Sequence, residues 1–394
     1  MRYFIYLTLF AQLCFAQNFE EFSKAQKDAM RLEAKNYEIY NKNIQNEFKE
    51  YQLAQQKAFD RFKKGASIYW EEAKMPTATS LINYTFDKKT RGEIDFKNEK
   101  IVIESIAKND EEAIKNLQDE LEKLVSISTK EFDAIDPLEQ ELSKIKPPKG
   151  TVLAPSQDEQ IVSNVIFGKK PSKDELKIYR EKNINAQTIK TLKSTKVAGE
   201  SVYSVTIELP SDTKIKKSKE YESEVSKQSQ ARKISKSLIF AIIDSESSFN
   251  PKARSHTPAF GLMQIVPTSA GRDAHKFLYG TDRVVSETYL YNSTNNITMG
   301  SAYFHILYYR YLSGIKDELS RLYCAIAAYN TGAGNVARAF VKTTNISKAT
   351  VVINSMSPQD VYAHLLANLP YQETRSYLKV VHTKIGSYSL IYKD

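Results

Sequence analysis

The sequence predicts an α+β protein, with a mixed α/β N-terminal domain followed by a mostly helical C-terminal domain. Three observations predict it. A charged, proline-free stretch from about Asn18 to Lys64 carries aromatic residues at helical spacing. Short runs with strand-like alternation lie between about Ser80 and Ala107, and again in "SVYSVTIELP". From about Lys233 onward, apolar helical segments alternate with short polar loops. The chain has 394 residues, enough for two ordinary domains. Its apolar fraction of 41% and charged fraction of 26% suit a folded soluble chain and exclude a disordered one. The expected divisions are a signal peptide at 1–16, an α+β domain at 17–225 and a helical domain at 226–394.

The first residues, "MRYFIYLTLFAQLCFAQNF", pair a positive Arg2 with an apolar run from Tyr3 to Phe10. Cys14-Phe15-Ala16 puts small residues at the −3 and −1 positions of a cleavage site. This is the pattern of a secretory signal cut after Ala16, too short to span a bilayer as a mature helix. A soluble periplasmic product is expected. Lipidation at Cys14 is the less favoured reading, because Ala11-Gln12-Leu13 lacks the usual small-residue approach to a lipidated cysteine. Only one other cysteine exists, Cys324, inside the apolar "LYCAIAAYN", so no disulfide framework is available and a core packing role is expected.

Between Asn18 and Lys64 the pairs Tyr37/Tyr40, Phe48/Tyr51 and Phe59/Phe62 recur at 11 residues, close to three helical turns. Phe19/Phe22 precede the first pair by five full turns. A long amphipathic helix ending near Gly65 is expected, its stripe packing on the rest of the N-terminal domain, with a partner or membrane surface as the sharper alternative. "SLINYTFDKKTRGEIDFKNEKIVIESIA" reads as strands around a polar turn carrying Gly92. A helix follows from about Asp110 to Val125, and "KIKPPKGTVLAP" is a Pro/Gly loop. "DTKIKKSKEYESEVSKQSQARKIS" is polar and helical. Beyond it, "KSLIFAIIDSESSF", "ITMGSAYFHILYYRYLSG", "ELSRLYCAIAAYNTG", "SPQDVYAHLLANL" and "YQETRSYLKVVHTKI" all read as helices.

The chemistry-bearing residues cluster in the second half. Leu238 to Ile243 are apolar without a break, as in a helix buried on all sides, and Pro251 stops that helix soon after Phe249. Glu246 therefore sits in the last turn. Burial and the negative helix end should raise its pKa, which suits a general acid. A helix-end Glu that caps or salt-bridges is the plain alternative. Gly261 precedes a short apolar run carrying Gln264, which offers a donor and an acceptor to a sugar. Tyr329 and Asn330 end an apolar helix before a Gly-rich turn, which could also be simple C-capping. Glu373 and Tyr377 share a helix face at i, i+4.

Taken in order, "ESSFNPKARS", "GLMQ", "AYNTG" and "ETRSY" resemble the motifs of the Slt-type, goose-lysozyme-like lytic transglycosylases. The resemblance covers about residues 230–385 and implies a lysozyme-like helical domain. It also implies cleavage of the β-1,4 bond between N-acetylmuramic acid and N-acetylglucosamine in peptidoglycan, leaving a 1,6-anhydromuramic end. It assigns Glu246 the catalytic acid and then base. Ser255 falls on the serine that contacts the muramic residue and Gln264 on the substrate-binding glutamine. Tyr329 and Asn330 fall on the pair lining the cleft, and Glu373 and Tyr377 on the last motif. Gly261 is counted with the substrate-binding loop. Phe260 stands where small residues are common, and is expected to narrow or stack on a sugar subsite.

Two rival readings stand beside this one. A hydrolytic muramidase would need a second acid about 5 to 9 Å from the first. Asp273 or Glu373 could supply it, whereas Asp244 projects from another side of the helix. A non-catalytic peptidoglycan-binding scaffold is the other rival. No cofactor or metal is expected, since the five histidines show no ligand spacing, although His256 could contact substrate. The net charge of +9 suits an acidic polymer, but it is spread along the chain without a basic block, so no nucleic-acid partner is expected. The expected partners are glycan strands, with possible cell-wall proteins meeting the N-terminal domain.

Overall fold

The computed structural model describes residues 2–393, with side chains described from Glu21 onward apart from that of Tyr37. The signal-peptide and Cys14 readings therefore fall outside the described side chains. No described helix is long and apolar enough to cross a membrane. The chain divides into two compact units, residues 1–53 and 54–394. The first consists of helix only, the greater part of α1 (Arg2–Ala66). Of the expected stripe, Phe22 is 67% and Tyr40 45% exposed, Tyr51 is half-buried and Phe48 is buried.

The second unit begins with the last turns of α1, where Ala58, Phe62 and Ala66 are buried with Trp70, Tyr84 and Leu138. Next comes an antiparallel sheet built from β1 (Ser80–Tyr84), β2 (Thr90–Asp95), β3 (Lys100–Ala107), β4 (Lys190–Lys193) and β5 (Ser201–Glu208). Its order is β1-β2-β3-β5-β4. Gly92 lies inside β2 and not in the turn expected for it. A Cβ there would come within 2.3 Å of Leu124 Cδ1, so the glycine lets the helix above press onto the sheet. The turn itself relies on Lys88, at φ 61°.

That helix is α2 (Asp110–Ser126), started by the Asn109 side chain accepting from Glu112 N–H. The short α3 (Thr129–Ile135) and α4 (Pro137–Leu142) follow, then α5 (Ser163–Phe167) and α6 (Lys173–Asn183). A core of Ile94, Ile101, Ile103, Leu117, Leu121 and Val205 fills the space between sheet and helices.

The remainder is helical, from α7 (Thr213–Glu220) and α8 (Glu222–Arg232) to α9 (Lys236–Glu246), α10 (Ala270–Tyr279) and α11 (Glu287–Leu290). Helix α12 (Ser293–Ile306) runs into a π-helical turn, Leu307–Tyr311. Helices α13 (Glu318–Thr331), α14 (Ala333–Val341), α15 (Ile346–Ile353), α16 (Pro358–Asn368) and α17 (Gln372–Ser389) complete it. The expected boundary at 225/226 falls within this compact unit, where the sheet core ends at Leu209 and the helical core begins at Tyr221. Helix α9 is the hub of the helical core. Leu238 to Ile243 are at most 3% exposed, and α17 packs along it. Cys324 is fully buried in α13, as expected of a core residue.

Candidate active site

Helix α9 stops at Glu246 for local reasons. Ser247 caps it, and its hydroxyl donates to Ile243 O and to Leu262 O at 2.8 Å. Ser248 and Phe249 then take left-handed backbone, at φ 51° and 66°. The chain is turned away, and the Glu246 side chain is left on the wall of a cavity of about 950 Å³. Ser255, Gln264, Tyr329, Asn330, Glu373 and Tyr377 line the same cavity. Seven of the eight residues singled out in the sequence thus converge from four separate segments.

Burial raises the Glu246 pKa from 4.5 to about 7; the neighbouring Tyr377 hydroxyl opposes that rise and the charge of Glu373 adds to it. Burial also pushes the hydroxyls of Tyr329 and Tyr377 well up, with the Glu246 charge contributing, so both stay protonated. The Tyr377 hydroxyl is buried beside the Glu246 carboxylate and has no other partner among the described residues. The Tyr329 hydroxyl instead donates to Met263 O at 2.9 Å. It braces the 260–264 loop, so Tyr329 offers the cavity a ring edge and not a free hydroxyl. Asn330 accepts from the buried Thr374 hydroxyl at 2.7 Å, which ties the end of α13 to the start of α17.

Gln264 sits at φ 47°, an unfavourable backbone for a residue other than glycine. Its amide donates to Gly261 O at 2.9 Å, while Oε1 has no partner among the described residues. The amide is thus held on its donor side, and its buried acceptor is left over beside the cavity wall. Ser255 is half-buried, and its hydroxyl donates to Thr257 O.

Two sequence readings are corrected. Gly261 does not line the cavity. Its φ of 74° and the Asn296 Nδ2 and Leu290 O atoms, 2.3 and 2.4 Å from where a Cβ would be, make it a packing glycine behind the loop. Phe260 is 1% exposed, packed edge-on against Tyr291 with the Arg254 guanidinium over its ring, so it does not meet a sugar.

The structure also shows what the sequence did not. Asn296, in the first turn of α12, is fully buried. It donates to Phe260 O at 2.8 Å and Leu290 O at 2.9 Å, and accepts from Met263 N–H at 2.7 Å. Its position in Asn296-Ile297-Thr298 matches a glycosylation signal, but the buried amide is wholly occupied. Nothing in the sequence marked it, since an asparagine in the polar first turn of a helix is ordinary. Ala78 and Thr79 form part of the cavity wall, and Ala78 O accepts from Asn250 Nδ2 at 3.2 Å. Lys252 is buried against Asp133 at 2.5 Å and Glu139 at 3.6 Å, and Arg254 against Glu287 at 2.8 Å.

The candidate second acids separate cleanly. Asp244 is buried away from the cavity, paired with Lys384 at 3.0 Å. Asp273 accepts from Tyr311 and does not line the cavity. Glu373 does line it, as an exposed residue at the start of α17.

Residues 223–352 match the family model described as Transglycosylase SLT domain. Membrane-bound lytic murein transglycosylase C of Klebsiella pneumoniae is 44% identical over 187 residues, 48% of this chain and 51% of the relative. The protein of the same name from Sodalis glossinidius is 41% identical over 201 residues, 51% of this chain and 56% of the relative. The chain spans about half the length of the curated relatives it matches. Among solved structures, lytic transglycosylase Slt of Pseudomonas aeruginosa is similar at 27% identity and a TM-score of 0.34. That likeness covers 43% of this chain and 24% of the other.

Proposed function

We propose that this protein is a lytic transglycosylase that cleaves the muramic-to-glucosamine β-1,4 bond of peptidoglycan and leaves 1,6-anhydromuramic ends. One observation carries the reading. Glu246 is a carboxylic acid with its pKa raised to about 7, facing a cavity of mixed polar and apolar lining that is large enough for sugars. At neutral pH a substantial fraction is protonated. Its proton passes to the glycosidic oxygen as the C1–O bond breaks. The carboxylate so formed then takes the proton of the muramic O6 hydroxyl while O6 bonds to C1. The acid is regenerated, and no water is consumed. The N-acetyl group stabilises the positive anomeric carbon in place of a second carboxylate.

The surrounding residues position the sugar. Gln264 Oε1 accepts a sugar hydroxyl or amide proton, Ser255 meets the muramic residue, and Tyr329 and Asn330 wall the cleft. Tyr377 keeps the Glu246 carboxylate anchored by offering a protonated hydroxyl. Glu246→Gln preserves the shape and removes the transferable proton. It should lower turnover of purified sacculi by roughly 10²–10⁴-fold with folding and sacculus binding intact. Wild-type turnover in that variant would remove Glu246 from the acid role.

The presence of Glu373 on the wall favours one rival, in which it activates water and the enzyme is a hydrolase. Its place at an exposed helix start gives it nothing of the environment of Glu246. The division into a signal peptide at 1–16, a domain at 17–225 and a catalytic domain at 226–394 belongs to the same reading. Export to the periplasm with cleavage after Ala16 is tested by the mass of the mature protein, which would carry added acyl mass if Cys14 were lipidated.

A further inference from the structure

A second cavity, of about 330 Å³, adjoins the first, and Ser255 lies on the wall of both. Its far side is the last turns of α1, and its near side is residues 254–256. Phe59, Met75 and Pro76 give it an apolar floor. Asp60 and Lys63 stand over that floor one helical turn apart, with His256 opposite. The Asp60 carboxylate accepts from Gln56 Nε2 at 2.9 Å, which fixes its direction. The Lys63 ammonium has no ion-pair partner among the described residues. Arg254, by contrast, is fully engaged with Glu287 and the Tyr291 hydroxyl, so it closes the cavity without offering a free charge.

An anion and an unpaired cation above an apolar floor match a chain that carries an amine and a carboxylate on an aliphatic spacer. We propose that this cavity receives the peptide stem borne by the muramic residue. The inference rests on the reading that glycan occupies the main cleft with the muramic residue at Ser255. The stem is covalently attached to that sugar, so its receptor must open beside it, and the shared Ser255 wall provides the opening. Lys63 and His256 take the peptide carboxylates, Asp60 takes the amine, and Phe59 and Pro76 cover the aliphatic carbons.

The test compares strands carrying their stems with strands stripped of them by an amidase. The wild-type protein should cleave peptide-bearing strands with a kcat/KM higher by roughly five-fold, the scale of two partly exposed charge contacts. Asp60→Ala with Lys63→Ala should lose that advantage and keep the wild-type rate on stripped strands. Equal wild-type rates on both substrates would overturn the proposal, as would a double variant that keeps the advantage. A double variant slowed equally on both would also overturn it, since the cavity would then serve the glycan or the fold. Absence of cleavage on either substrate by wild type is a separate result, which would sink the transglycosylase reading together with this one.

Discussion

At the scale of single residues, the chemistry turns on one carboxyl group and what surrounds it. The folded pKa of Glu246 is raised above its ordinary 4.5 to about 7. The protonated form therefore does the work, and activity should fall with a single ionisation as pH rises through about 7, which a pH–rate profile on sacculi will show. The same shift has a stability consequence. A carboxyl whose folded pKa lies above its unfolded pKa favours folding most below the unfolded value, and that contribution is lost as pH rises through the folded value. From 4.5 to about 7 this amounts to about 3 kcal/mol. Glu246→Gln should thus be more stable than wild type by up to about that amount at pH 8, and the gap should close below pH 4.5. Equal urea midpoints at pH 8 would show that burial does not strain the carboxylate. Glu246 itself was legible in the sequence, because an unbroken apolar run and a following proline dictate where a buried helix must end. The spare Gln264 acceptor was not, since it depends on where the amide donates.

The scale of elements explains how seven residues from four segments meet. Helices α9, α13 and α17 supply Glu246, Tyr329 with Asn330, and Glu373 with Tyr377, each from a helix end. The 260–264 loop is held against them by Asn296 and the Tyr329 hydroxyl. Asn296→Ala leaves two buried carbonyls and one N–H with a lost partner, and should cost about 3 kcal/mol or more in chemical denaturation while lowering activity through Gln264. Gly261→Ala should cost a similar amount, because the left-handed backbone and a Cβ 2.4 Å from Leu290 O act together. Either variant at wild-type stability would mean the loop is not pinned as described. Sequence periodicity marked the long helices and most strands. It did not mark β4, whose residues are all exposed, nor the short α3 and α4, whose starts depend on the Ser128 and Asp136 caps. The role of Gly261 was misread because a glycine that admits a ligand and one that admits a neighbouring carbonyl look alike in sequence.

For the whole molecule, the sheet region and the helical region of the second unit meet through buried charge. Lys252, just after the end of α9, is held charged between Asp133 and Glu139 of α3 and α4, and Asn250 reaches Ala78 on the cavity wall. Lys252→Met would remove the ammonium from between the buried Glu139 and the half-buried Asp133, leaving only the Arg254 charge nearby, and should cost about 3 kcal/mol, read as a lower urea midpoint at unchanged slope. A midpoint within error of wild type would show that this junction does not hold the two regions. Such a long-range pairing was invisible in the sequence, where Lys252 is one of 56 basic residues with no sign of burial. In the proposed reaction one carboxyl acts twice, with the substrate's own O6 in place of water. Digestion of purified sacculi in H₂¹⁸O, followed by mass spectrometry of the muramic ends, tests it most directly. A transglycosylase with Glu246 as acid and base yields anhydromuramic ends without the heavy oxygen; reducing muramic ends carrying ¹⁸O would mean that water, not O6, attacks.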